Sequence, residues 1–104
     1  MVKNYLAVDI GASSGRHIIA TLDGGKIKLK EIYRFENGMV QRNGHLCWNL
    51  DSLFSHIKEG MKKCRAEGII PESVGIDTWG CDFVLLGSEK KVLGDYVAYR
   101  DSRT

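Results

Sequence analysis

Asp9-Ile10-Gly11-Ala12-Ser13-Ser14-Gly15-Arg16 decides how this chain is read. The apolar run Tyr5-Leu6-Ala7-Val8 precedes it and His17-Ile18-Ile19-Ala20 follows it. A carboxylate leaves one strand, a turn of very small residues follows, and an arginine enters the next strand. Gly11 and Gly15 can take backbone angles closed to other residues, and Ala12, Ser13 and Ser14 leave the backbone uncovered. Consecutive N–H groups in such a turn form a concave nest for an anion. The two hydroxyls add donors, and Arg16 adds a planar fork that fits phosphate oxygens. Asp9, at the mouth, suits a hydrated Mg²⁺, which keeps several waters and borrows one or two carboxylates.

The turn is not a P-loop, because no Gly-Lys-Ser/Thr ends it, nor a dinucleotide fingerprint, which needs Gly-x-Gly-x-x-Gly opening a helix. A β-rich run follows instead. On spacing alone, a plain Gly/Ser hairpin with a chance Asp and Arg explains the stretch equally well.

Outward from the turn, residues 4–9 read as a strand and residues 16–22 as its hairpin partner. Asp23-Gly24-Gly25 is a turn signal, and the alternation over residues 26–35 gives a third antiparallel strand. Asn37-Gly38 and Asn43-Gly44 punctuate a loop or short hairpin. Leu50, Leu53, Phe54, Ile57, Met61 and Cys64 then recur at helical spacing and predict one apolar face. Asn49 or Asp51 suits the cap, and Gly68 suits a left-handed stop. Lys58, Lys62, Lys63 and Arg65 cover the outer side, late enough to complement the helix dipole. Val74-Gly75-Ile76-Asp77 reads as a short buried strand, parallel to an earlier one through a right-handed crossover. Phe83 to Leu86 and Val92-Leu93 read as a further hairpin, and Tyr96 to Tyr99 as a last extended piece. One helix cannot cover both faces of such a sheet, and a buried parallel strand needs that cover. The chain therefore reads as the beginning of something longer; a complete small α+β domain with a polar tail is the other reading.

At 104 residues there is room for one small domain. A hydrophobic fraction of 43% and a charged fraction of 27% are those of a soluble globular protein. The net charge of +2, with no basic run, argues against nucleic acid. No span of about 18 apolar residues argues for a membrane helix, and charged and polar residues break the N-terminus too early for a signal peptide. The cytoplasm is the default location. Cys47, Cys64 and Cys81 are odd in number and far apart, and His17, His45 and His56 show no ligand spacing. All six read as structural or surface residues.

Four segments in order carry a resemblance: Asp9 to Arg16, Gly75-Ile76-Asp77-Thr78-Trp79-Gly80, Asp82 to Leu86, and Tyr99-Arg100-Asp101-Ser102-Arg103-Thr104. Together with Asn43 to Asp51 they make nearly the whole chain resemble the amino-terminal part of the FGGY carbohydrate kinases, within the actin/hexokinase/Hsp70 ATPase superfold. The resemblance implies an incomplete α/β, ribonuclease-H-like domain of three antiparallel strands, a long helix, a parallel strand and a further β-hairpin. Residues 1–104 would be the amino-terminal part of the first of two domains. It implies phosphoryl transfer from ATP, with Mg²⁺, to a ketose bound in the cleft between the domains. Ala12, Ser13, Ser14, Gly15 and Arg16 match the family's phosphate loop, and Asp9 its Mg²⁺ carboxylate, acting through water. Gly80, Tyr99 and Asp101 match sugar-side positions, although Tyr99 stands where many relatives have tryptophan.

Within these segments, Asp77 reads as structural slightly before metal-facing, Trp79 as packing, and Asp82 equally as a sugar ligand or a cap of its own turn. Arg100 and Arg103 read as partners of Asp101. The family's base aspartate and adenine pocket are expected beyond Thr104, so no residue here is assigned as catalytic and the isolated segment is expected to be inactive. The remainder of the polypeptide is the expected partner, and alone the segment is expected to self-associate. A kinase for another ketose or a sugar acid, and a non-catalytic module that kept the fold, are the alternatives.

Overall fold

The computed structural model describes residues 2–102. Arg103, given above as a partner of Asp101, lies outside the described residues. A four-stranded sheet is built from β1 (Lys3–Ile10), β2 (Ser14–Asp23), β3 (Lys26–Glu36) and β6 (Val74–Asp77). Its order is β3-β2-β1-β6, antiparallel except for the parallel β1–β6 pair. Two small hairpins stand beside it: β4 (Met39–Arg42) with β5 (His45–Trp48), and β7 (Leu85–Leu86) with β8 (Val92–Leu93). The three sequential antiparallel strands and a parallel strand after the helix are those expected from the sequence, which left open that the parallel partner is β1.

Hairpin chemistry sets the registers. Gly24-Gly25 and Asn43-Gly44 all have positive φ, at 58°, 79°, 51° and 80°. That is the two-residue turn whose twist matches the flanking strands. Helix α1 (Leu50–Ala66) begins on Asn49, whose side chain accepts the Ser52 N–H at 3.0 Å. It ends on Gly68 at φ 74°, with Gly68 N–H donating to Arg65 and Ile69 N–H to Cys64. Those two bonds satisfy the last carbonyls, and they set Ile69 beside Cys64.

The core lies between α1 and one face of the sheet. Leu6, Val8, Ile10, Ile19, Ile32, Phe35 and Cys64 are buried there, with Tyr33, Leu53, Ile57, Ile69 and Trp79 packed around them. Gly60 rests directly on the ring of His17, which is fully buried and donates Nε2–H to the Ile57 carbonyl at 3.0 Å. Burial lowers the His17 pKa, because removing the ring from water penalises its charged form. His56 stacks on Phe35 and bonds Tyr33 Oη.

The sequence reading needs correcting in several places. The strand at Val74–Asp77 is exposed at every residue, because among the described residues β6 is the edge of the sheet. Phe54 and Met61 are exposed although they share the helical periodicity of the core residues. The segment Phe83 to Leu86 forms a strand only at Leu85–Leu86, matching a partner of two residues. Tyr96 to Tyr99 contributes one isolated bridge, Cys47 to Val97. Strand β2 begins at Ser14, so the turn proper is only Gly11-Ala12-Ser13. Neither Gly11 nor Gly15 uses positive φ. Gly15 is needed for space instead: a Cβ there would lie 2.2 Å from the Phe35 ring.

Candidate functional site

The turn between β1 and β2 is tied down on its carbonyl side. Gly11 N–H donates to Ser14 O at 2.8 Å. Asn37 donates its backbone N–H to Ser13 O and its side-chain amide to Gly11 O, each at 2.9 Å. Among the described residues, no backbone hydrogen bond engages the N–H groups of Ala12 or Ser13. A turn with its carbonyls engaged and two successive N–H groups left over has the polarity of an anion nest.

Charge gathers beside that turn. The strand registers place Asp77, Asp9, Arg16 and Arg34 as successive neighbours across the four strands. Arg16 Nη2 lies 3.2 Å from Asp9 Oδ2, with about half of each side chain exposed. Such a surface pair is worth only about 0–1 kcal/mol, so Arg16 can be drawn from Asp9 by a more highly charged anion. Arg34 pairs with Glu31 at 2.6 Å, and its guanidinium holds the Glu31 carboxyl below the usual carboxylate range. Asp9, level with Asp77 in the parallel pair, offers the small carboxylate set that a hydrated Mg²⁺ accepts.

The second group of expected residues lies around β5. Asp101 is buried, with Oδ1 accepting the Leu46 N–H at 2.8 Å and Oδ2 2.9 Å from His45 Nδ1. Ala98 N–H donates to Leu46 O, and Trp48 N–H to Tyr96 O. The Tyr99 ring sits 6.4 Å from that of Trp48, with the Arg100 guanidinium over its face. Arg100, given above as a partner for Asp101, thus stacks on Tyr99. Gly80 is open: nothing lies within 4 Å of where a Cβ would stand. Trp48 and Trp79 both donate their indole N–H to Asp82.

A depression of about 550 Å³ opens beside the loop that follows β6. Thr78, Trp79 and Asp82 form one side of it, and Phe54 and Ile57 of α1 another. The structure thus gathers Asp9 and Ala12 to Arg16 at one end of the sheet, and Gly80, Tyr99 and Asp101 around β5. Sequence reasoning passed over Asn37, Arg34 and His45. Asn37 has the local signature of turn punctuation, and nothing local in the sequence says that its amide reaches back 26 residues to Gly11.

Of the cysteines, Cys47 and Cys64 are buried and Cys81 is exposed. Burial, with Glu67 nearby, pushes the Cys64 thiol up. Among the described residues no group of three or more His, Cys, Asp and Glu comes together as a metal set, and no helix is long and apolar enough to cross a membrane.

Comparison with known proteins agrees with the expected family. The chain is 60% identical over 102 residues to a protein named Rhamnulokinase from Halalkalibacterium halodurans, covering 97% of this chain and 22% of that protein. It is 48% identical over 103 residues to a Rhamnulokinase from Ligilactobacillus salivarius, covering 99% of this chain and 21% of that one. The chain thus spans about a fifth of the length of these curated relatives. Among solved structures, gluconate kinase from Lactobacillus acidophilus superposes with a TM-score of 0.72 over 93% of this chain and 20% of its own, at 14% identity. That likeness shows the fold alone, one shared with part of a sugar-kinase structure. No protein-family model matches the chain.

Proposed function

We propose that this chain, homologous over nearly its whole length to rhamnulokinases of the FGGY carbohydrate kinases, is the phosphate-binding segment of an L-rhamnulose kinase. The observation that carries the reading is the 60% identity over 102 residues, which is 97% of this chain. The tied turn, with its two unengaged N–H groups beside Asp9 and Arg16, supports it.

The reaction is transfer of the γ-phosphoryl group of ATP to the O1 hydroxyl of L-rhamnulose. A bond forms between O1 and the γ-phosphorus, the bond to the β-bridging oxygen breaks, and ADP leaves. The O1 proton passes to a base that residues 1–104 do not supply. Phosphoryl transfer of this kind depends on positioning and on stabilising charge over the transferred group. Ala12, Ser13, Ser14, Gly15 and Arg16 hold the phosphates, with Gly15 acting through the packing that shapes the turn. Asp9 would hold Mg²⁺ through water, and the chemistry such an ion would supply there is neutralisation of phosphate charge. Gly80, Tyr99 and Asp101 form the sugar side; Gly80 gives a hydroxyl access to bare backbone, and Asp101 anchors its segment on β5. The setting is cytoplasmic rhamnose breakdown, and the partner is the rest of the same polypeptide, which brings the base and the adenine pocket.

A panel of L-rhamnulose, D-xylulose, L-fructose and D-gluconate, assayed for MgATP-dependent ADP release by the full-length protein, tests this. L-rhamnulose is expected to give the highest kcat/KM. Preference for another sugar contradicts the substrate; no sugar-dependent ADP release contradicts the kinase.

A further inference from the structure

Asp82 belongs to neither the phosphate group nor the sugar group of residues assigned above. Its Oδ2 accepts the indole N–H of Trp48 at 2.5 Å and that of Trp79 at 2.8 Å. The two rings lie 4.4 Å apart, inclined at 42°. Trp48 ends β5, while Trp79 sits in the loop after β6, directly before Gly80. One carboxylate therefore ties that loop to the β4–β5 hairpin.

The same hairpin holds the Tyr99–Asp101 segment. Cys47 bridges Val97, Leu46 O accepts from Ala98, and Leu46 N–H donates to Asp101. Strand β5 is thus a frame from which both expected sugar-side segments hang. On the Asp101 side the attachment is mostly backbone. On the Gly80 side it passes through Asp82, which joins Trp79, itself packed against the core, to Trp48, while a Cβ at Gly80 would meet nothing within 4 Å. Indole N–H groups withdrawn from water need an acceptor, and an ionised acceptor makes the stronger bond. Two donors meeting on one oxygen fix both ring planes together.

We propose that Asp82 is a positioning residue: by clamping Trp79 onto Trp48 it holds the Gly80 turn at the distance from Tyr99 and Asp101 that the sugar requires, without touching the sugar. The inference rests on the sugar-kinase reading above. It replaces the two roles open for Asp82 from sequence, sugar ligand and cap of its own turn.

The test is steady-state kinetics of the full-length protein with Asp82→Ala and Asp82→Asn. The indole N–H signals of Trp48 and Trp79 are followed by NMR and assigned through Trp→Phe variants. In Asp82→Ala both indole signals move together, and KM for the sugar rises about tenfold or more while KM for MgATP stays within about twofold. Asp82→Asn keeps a carbonyl acceptor and restores the sugar KM to within about threefold of wild type. Indole signals that move with no change in sugar KM overturn the proposal, and so does a parallel rise of both KM values. If the wild type prefers another ketose, the substrate reading fails, and Asp82 is judged on the KM for that ketose. A wild type inactive toward every sugar overturns both.

Discussion

Gly60 and His17 meet where α1 crosses the sheet, and neither tolerates much change. A Cβ on Gly60 would stand 2.2 Å from ring atoms of His17, and that ring is wedged between helix and strand with no room to retreat. Gly60→Ala gains about 1 kcal/mol of helix propensity, but forced overpacking costs about 1–3 kcal/mol, and the rigid ring puts this site at the upper end. The expected outcome is a lower urea midpoint than wild type; an equal or higher one would show that α1 can slide. His17 also makes stability depend on pH. Its pKa is lowered on folding, so the unfolded chain binds more protons below the ordinary histidine value of 6.5. The stabilisation is complete above 6.5 and is lost as the pH falls through the depressed folded value. The urea midpoint should fall more between pH 7.5 and 5 in wild type than in His17→Leu, which keeps His45 and His56. Equal falls in the two proteins would assign the effect elsewhere.

Elements were legible in the sequence to the extent that their signals are local. The pattern of β1 to β3, the Asn49 cap, the Gly68 stop and the two-residue hairpin turns each depend on a few adjacent residues, and each is found as expected. Burial was less legible. Val74-Gly75-Ile76-Asp77 has the composition of an interior strand, yet it lies at the sheet edge with Ile76 58% exposed. Periodicity reports which residues share a face, not whether anything covers that face. The site was half legible for the same reason: Asp9 and Arg16 are near in sequence, whereas Asn37 reaches Gly11, and Asp82 reaches Trp48, only through the fold. An exposed, β-paired edge with apolar residues is a template for association. Purified as 104 residues, the chain is expected to form dimers or larger species in size-exclusion chromatography with light scattering. Ile76→Lys, which places a charge on that edge, should shift it toward monomer. A wild type that stays monomeric at high concentration contradicts this reading of β6.

At the scale of the molecule, one sheet end gathers the residues proposed to hold phosphate, and the β5 frame gathers those proposed to hold the sugar. Phosphoryl transfer needs both, together with a base. With the base proposed to lie outside residues 1–104, that segment alone should release no ADP in response to L-rhamnulose; measurable sugar-stimulated release from it would show that the base is among them. The central claim is that the Asp9–Arg16 turn holds the phosphates of ATP in a sugar kinase. Its most direct test is the KM for MgATP of the full-length protein with Arg16→Ala, measured at saturating L-rhamnulose. Arg16 is half exposed and its pair with Asp9 adds at most about 1 kcal/mol, so the fold survives the change. The account predicts that KM for MgATP rises about tenfold or more while KM for the sugar stays within about twofold. An unchanged KM for MgATP would contradict it and return the turn to an ordinary hairpin.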